Sequence, residues 1–486
     1  MIPVLKKKQA YKLDKDTIES GHLSQEELMD NAGKAIAQFF CEKIDDPFNK
    51  KVVVVCGKGN NGGDGVIAHS YLKQYNVSSE IIFTEEKHGH SKIFKKYKIS
   101  KSEYSNYNDK TKLNQYDWII DGIFGIGLSR KLDDRYWEII DRINSKKNII
   151  SIDVPSGISD SPLGGYSKFV ISKYTVTFGY SKLAHYMNPI NNIVVSDIGF
   201  KNLNKINMCK IIADDIKEIL IADELKSNKH KKYTECNIYA GGYQYPGAAF
   251  LCSMAAHKTG SGYVRLYFGN LGKKEHEVLL ENIKALMPEI IVESEYELNN
   301  VFLNEDTPML IGPGGTTLSS FEDNIPSRLV IDASAISFFD DEKSVSDNIR
   351  EIPEYSIMTP HVGEFKSFFQ LINIEYYDIQ NIQKIIGERI VILKSFNTFI
   401  ITKDIIYIMD KGPSLLATAG TGDVLSGILV SLLSQGYSRL DASILGTYLH
   451  AEAANYYMNN ISKDGMTASD LIDCIPHAFN ILRVNE

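Results

Sequence analysis

The stretch ATAGTGDVLSGILVSLLSQG, Ala417 to Gly436, sets two glycines and two threonines around one acid and then runs into an apolar helix. Glycines bare the backbone amides, and a helix N-terminus adds partial positive charge, so such a turn holds phosphate. Asp423 within it has the placement of a general base. A second constellation lies near the start, in VVVVCGKGNNGGDG (52–65). Its glycine turn carries Asn60, Asn61, Gly62, Gly63 and Asp64, three of them with polar side chains that a mere turn does not need. Two further strand ends offer Asp121, in IIDGIFGIGLSRK, and Asp153 with Ser156, in ISIDVPSGI. The same glycines also suit a tight turn with no ligand, and each acid or amide taken singly suits a helix N-cap. Taken jointly they make a set of oxygen ligands for a hard cation.

The second half repeats the theme with other residues. In IYAGGYQYPGAA, small residues allow close helix packing and also leave room for a flat ring beside Ala248. Gly314 lies in a glycine turn, LIGPGG, and His361 follows a proline in MTPHVGEF, where a structural role competes with a catalytic one. Lys394 ends the apolar run VILK, well placed for a nucleotide phosphate or simply solvated.

These residues need a frame that gathers strand ends. The first half alternates β-branched runs (KVVVVCG, DWIIDGIFG, NIISIDV, YTVTFG, NIVVSDIG) with amphipathic stretches, the pattern of a mostly parallel sheet covered on both faces. The region 84–115 is polar and reads as half surface helix, half loop. After a charged stretch, LIADELKSNKHKKYTEC (220–236), the alternation restarts at NIYAGG. We therefore expect one domain over 1–220 and another over 221–486. Ligands of such sheets collect at the carboxyl ends of the strands.

The bulk composition excludes several classes. With 486 residues, 43% hydrophobic and 23% charged, the chain is an ordinary globular one with room for two large cores. A net charge of −8 argues against a general nucleic-acid binder. No apolar run approaches a membrane span, and the N-terminus lacks a signal-peptide core. Six scattered cysteines without a C-x-x-C pair argue against a disulfide framework or zinc site and fit a reducing cytoplasm.

The motifs, taken in order, carry a resemblance. ELMDNAG (27–33), GNNGGDG (59–65), DGIFGIGL (121–128), DVPSG (153–157), TVTFGYSK (175–182) and SDIGF (196–200) resemble the YjeF N-terminal family, the NAD(P)H-hydrate epimerases. The resemblance implies a Rossmann-like three-layer αβα domain that interconverts the R and S forms of hydrated NADH or NADPH. By residue match, Asn60 to Asp64 (with Gly62 and Gly63) and the loop Gly125, Ile126, Gly127, Leu128, Ser129, Arg130 and Lys131 hold the nucleotide, with Tyr136 nearby. Asn61, Asp121 and Ser156 bind potassium, Asp153 is the acid–base residue, and Lys182 assists it.

AGGYQYPGAA, IGPGG, MTPHVGEF, LKSFNTFI, ATAGTGDVLSGIL and DGMTASDLIDCIP resemble the YjeF C-terminal family, the ADP- or ATP-dependent NAD(P)H-hydrate dehydratases, a branch of the ribokinase-like α/β fold. There the nucleotide phosphorylates the hydrate hydroxyl and phosphate then leaves. By match, Ala248, Gly314, His361 and Asp423 contact the hydrate, and Lys394, Ser395, Phe396, Asn397 and Gly422 contact the nucleotide. ADP is the expected co-substrate, with ATP the alternative, and Mg2+ accompanies the phosphates. Three places depart from the family pattern: Ser334 stands where an acid is usual, Ser395 where a glycine is usual, and KGPSLLAT (411–418) is shortened.

The expected protein is thus a bifunctional cofactor-repair enzyme acting on a small molecule, homo-oligomeric, with no nucleic-acid or membrane partner. A ribokinase-superfamily small-molecule kinase with a regulatory first domain is the alternative, since its acid and glycine turn have the same form. A non-enzymatic binding module is the third reading, opposed by the presence of Asp153 and the cation ligands.

Overall fold

Four consecutive valines followed by cysteine leave no polar face, so the strand Lys51–Cys56 has to be covered on both sides. The computed structural model shows how. Val52, Val54 and Cys56 point into a core with the helices Gln25–Lys43 and Asn60–Gln74. Val53 and Val55 point into another with the helix Asp134–Asn144. The period-2 alternation of a strand feeds both cores from one segment. The structure describes the chain except residues 88, 129–131, 159–167, 191, 202, 204–206, 225–233, 243, 269–277, 279–280, 283–284, 294–306, 316–327, 338–342, 373, 375 and 485–486.

The chain forms two units, Pro3–Ile206 and a second made of Met1–Ile2 with Asn207–Glu486. This division falls before the polar stretch 220–236. The reason is local: the strand Met208–Lys210 pairs with Ile406–Met409, and the helix Ala213–Glu224 buries Ile216 and Leu220 in the second unit's core. Much of the polar stretch, 225–233, lies outside the described residues.

In the first unit seven parallel strands run in the spatial order Tyr104–Asn106, Ser78–Phe83, Lys51–Cys56, Trp118–Gly122, Ile149–Ile152, Tyr174–Phe178, Ile193–Ser196. The order reverses between Lys51–Cys56 and Trp118–Gly122, so a crevice opens at their carboxyl ends. Between Phe83 and Trp118 lie the helix Ser91–Tyr97, short turns and the edge strand Tyr104–Asn106, so the polar region 84–115 is not helix and loop alone: its strand pairs with Ile81–Phe83.

The second unit's sheet runs Ile291–Glu293, Tyr263–Tyr267, Glu235–Tyr239, Met309–Ile311, Leu329–Ile331, Ser356–Met358, Ile390–Leu393, Thr398–Ile401, Ile406–Met409, Met208–Lys210. Only Thr398–Ile401 runs antiparallel to its neighbours among these described strands. Its reversal lies between Glu235–Tyr239 and Met309–Ile311. The helices Gly247–Thr259, Thr421–Ser434, Arg439–Asn460 and Ala468–Val484 cover one face and supply most of the core. Five of the six cysteines are buried and all are free. No helix among the described residues is long and apolar enough to cross a membrane.

Candidate active sites

In the first unit the switch-point crevice widens into a cavity of about 530 Å³, a size that suits a small organic ligand. Asn60, Asn61, Asp64, Gly125, Ile126, Gly127, Leu128, Asp153 and Lys182 all line it. Gly62 and Gly63 do not. Their missing side chains serve packing instead, since a Cβ on Gly62 would stand 1.9 Å from the Gly57 carbonyl. Tyr136 is buried outside the lining, its hydroxyl donating to Glu85. Ser129, Arg130 and Lys131 lie outside the described residues.

Asp153 directly follows the strand Ile149–Ile152 with a left-handed backbone, φ 61°. Its amide donates to Val176 and its carbonyl accepts from a His185 ring nitrogen, so the backbone is fixed on both sides. Its Oδ1 accepts from Thr177 Oγ1 at 2.9 Å and pairs with Lys182 Nζ at 2.7 Å. Lys182 is itself held by Thr177 and the Phe178 carbonyl. Burial pushes the carboxyl up, but the Lys182 charge and these hydrogen bonds outweigh it and hold it below the ordinary value. Asp153 is therefore held ionised. Asp64, half-buried, is pushed the other way by burial and by Asp153 and Asp14.

Beneath the glycine loop, Asp121 is fully buried. It accepts from Ser156 Oγ at 2.5 Å, Ser156 N at 2.9 Å, Ser151 Oγ at 2.9 Å and Ile123 N at 3.3 Å. Asn61, beside the loop, has a buried Nδ2 with no partner among the described residues. A buried amide of this kind, following a strand whose next two neighbours on one side lead to the Asp121 carboxylate and the Ser156 hydroxyl, fits a cation that prefers hard oxygens, because turning the amide presents its oxygen.

In the second unit the carboxyl ends of successive strands again gather the residues. At the switch point, Gly314 has φ +79°, and a Cβ there would stand 2.6 Å from the Tyr245 carbonyl and 3.0 Å from the Ala248 Cβ. Gly242 N donates to the Gly314 carbonyl at 2.8 Å, which locks the two glycine turns together. A second group forms around Asp423, in the first turn of the helix Thr421–Ser434. That helix packs on the strands Glu235–Tyr239, Met309–Ile311 and Leu329–Ile331. Gly420, at φ +88°, starts it.

Asp332, buried at the end of Leu329–Ile331, pairs with Lys394 Nζ at 2.8 Å and accepts from Ser426 Oγ at 2.6 Å. Lys394 thus serves an acid, and its Nζ lies 3.3 Å from where a Cβ on Gly422 would be. Asp423 has no ion pair among the described residues. Burial and the neighbouring Asp332 raise it to about 7, against the pull of Lys394. His361 is exposed and caps the helix Val362–Phe368, its Nδ1 accepting from the amides of Gly363 and Glu364. It bridges Lys394 as a strand-end pair. Ser395, Phe396 and Asn397 form the turn between Ile390–Leu393 and Thr398–Ile401, where Ser395 Oγ donates to the Asn397 carbonyl.

Sequence reasoning did not single out Asp332, Ser426, Thr177, His185, Tyr11 or Asp14 as site residues. Asp332 was the traceable one, since it too ends an apolar run. Asp14 sits in a helix with no local motif.

Comparison with known proteins follows the same two-part division. A family model described as YjeF-related protein N-terminus matches residues 25–184, and one described as NAD(P)H-hydrate dehydratase matches 236–477. The chain is 30% identical to the bifunctional NAD(P)H-hydrate repair enzyme Nnr of Dictyoglomus turgidum, over 93% of each chain. It is 27% identical to that of Thermofilum pendens, over 97% of this chain and 95% of the other. Among solved structures, the ADP/ATP-dependent NAD(P)H-hydrate dehydratase of Bacillus subtilis co-crystallised with ATP and Mg2+ is 21% identical. It covers 56% of this chain and 97% of its own, with a TM-score of 0.44.

Proposed function

The chain belongs to the family of bifunctional NAD(P)H-hydrate repair enzymes, and we propose that each half performs one step of the repair. The first unit exchanges the R and S epimers of hydrated NADH or NADPH. The second dehydrates the S form at the expense of ADP, giving AMP and phosphate. A dehydratase that accepts one epimer strands the other, so the two activities complete each other.

The observation that carries this reading is the presence of an acid at the carboxyl end of each sheet, set for proton removal from a hydroxyl. Asp153, ionised beside Lys182, works on the oxygen at the hydrated carbon. Asn60, Asn61 and Gly125 to Leu128 line the space for the rest of the nucleotide. Asn61, Asp121 and Ser156 would hold K+, which would supply fixed positive charge to the site.

Asp423 takes the proton from the hydrate hydroxyl as it is phosphorylated. Gly422 and the helix N-terminus face the phosphoryl group, and the turn Ser395 to Asn397 with Lys394 faces the nucleotide. Ala248, Gly314 and His361 border the hydrate. Mg2+ enters with ADP as part of the co-substrate.

The test is incubation of the full chain with a mixture of both epimers and ADP. Complete recovery of reduced-nicotinamide absorbance with stoichiometric phosphate is expected. A stable phosphorylated product would instead favour a kinase. Recovery that stops at the S fraction and then creeps at the uncatalysed exchange rate would remove the epimerase half.

A further inference from the structure

The helix Lys7–Glu19 precedes the span matched by the family model, yet it forms part of the epimerase cavity. Its buried face, Ala10 and Leu13, packs with Ile126 of the glycine loop. Lys7 Nζ donates to the Leu128 carbonyl at 2.9 Å, which ties the helix to that loop. Tyr11 and Asp14, three residues apart and therefore neighbours on one helix face, line the cavity together with Asp64, Asp153 and Lys182.

Resting on the epimerase reading, we infer that Asp14 is the second proton-carrying group of the exchange, partner to Asp153. The hydrated carbon is bonded to the ring nitrogen. A proton passes from the Asp14 carboxyl to the hydroxyl oxygen, and the C–O bond breaks with its electron pair leaving on water. The nitrogen lone pair forms a C=N bond. Water then adds to the other face, its oxygen pair forming the new C–O bond, and the C=N pair returns to nitrogen. Asp153 takes the proton that this water loses. Return of one proton from Asp153 to Asp14 resets the site, and the reverse epimer uses the two carboxyls in exchanged roles.

Such a pair needs two acids of unlike proton affinity. Lys182 bonds Asp153 and keeps it ionised. Asp14 has no such bond among the described residues. Burial raises it to about 6, with Lys182 opposing and Asp153 adding to the rise. The other ionisable groups facing this space are Tyr11, Asp64 and Lys58. Tyr11 is itself raised, by burial and by both acids, so it stays neutral.

The test compares full-length wild type, Asp14→Asn, Asp14→Glu and Asp153→Asn for R/S exchange, with kcat and KM taken across pH. Wild-type exchange should fall as pH rises through about 6, where Asp14 gives up its proton. Asp14→Asn should lower kcat by about 100-fold or more, leave KM nearly unchanged and lose that limb. Asn replaces an acid that burial disfavours, so the fold should hold. Asp14→Glu should keep the limb at reduced rate. If Asp14→Asn exchanges within about threefold of wild type with the same pH profile, the inference is wrong even when Asp153→Asn is inactive. It is equally wrong if Asp14→Glu loses the limb. Absence of exchange in wild type would overturn the epimerase reading itself.

Discussion

Asp153 follows a strand of the first sheet and Asp423 opens a helix packed on the second, and the lysine near each is used differently. In the first unit Lys182 binds Asp153 itself and holds the acid low. In the second, Lys394 is taken by Asp332, and Asp423 is left to burial and a neighbouring negative charge, which lift it to about 7. The lesson is that placement at a glycine turn does not set acidity. Burial raises both acids, and the partner of the nearest cation decides whether that rise is offset. The base proposed for epimer exchange, which must rest ionised between turnovers, suits the first arrangement. A base that takes a proton as a hydroxyl is phosphorylated, and must then release it, suits the second.

The largest effect should come from exchanging the acids for neutral groups. Asp153→Asn should lower epimer exchange by about 10²–10⁴-fold and leave dehydration of pure S hydrate intact, while Asp423→Ala should do the reverse. Chromatographic assay of each epimer separates the two. Loss of both activities in either variant would break the comparison.

Next come the lysines as structural partners. Removing one side of a buried pair leaves an uncompensated charge, which costs roughly 3–5 kcal/mol. Lys182→Met should destabilise the first unit by about this amount at neutral pH. Asp153 is depressed in the folded state, so its contribution is present above its unfolded value of 3.8 and is lost as pH falls through the lower folded value. The difference between wild type and variant should therefore shrink in acid. Both tryptophans, Trp118 and Trp137, lie in the first unit, so urea unfolding followed by their fluorescence reads that unit alone.

The smallest effect sharpens the second half. Asp423 must be ionised to act as a base, so dehydration should rise with pH through about 7. Asp332→Asn removes the charge that raises Asp423 and should move this limb down by roughly one pH unit. A limb that stays put would mean that Asp332 does not tune the base.

Much of this was legible in the residues. The valine run and the glycine turns after it located the first switch point, because a strand buried on both faces and a turn with bare amides leave local signatures. Asp153 and Asp423, the two acids proposed as bases, stand in such turns and were picked out for the same reason. What escaped were partners that meet only across the fold. Asp332 and Ser426 are 94 positions apart, and nothing in either neighbourhood announces the other. Asp14 reaches the cavity because Ala10 and Leu13 fix the face of its helix, which is a packing outcome rather than a motif. Gly62 and Tyr136 stand within recognisable motifs, yet the first spends its conformity on a close backbone approach and the second on Glu85.

The left-handed backbone at Asp153 restricts what can replace it. Asp, Asn and Gly accept φ 61° readily, whereas alanine there carries a conformational penalty of about 1–2 kcal/mol. An alanine scan would thus report a distorted loop as a missing acid. A saturation library at this codon should sort into three tiers: one functional residue, two folded but silent ones, and a remainder depleted for abundance before chemistry is ever sampled.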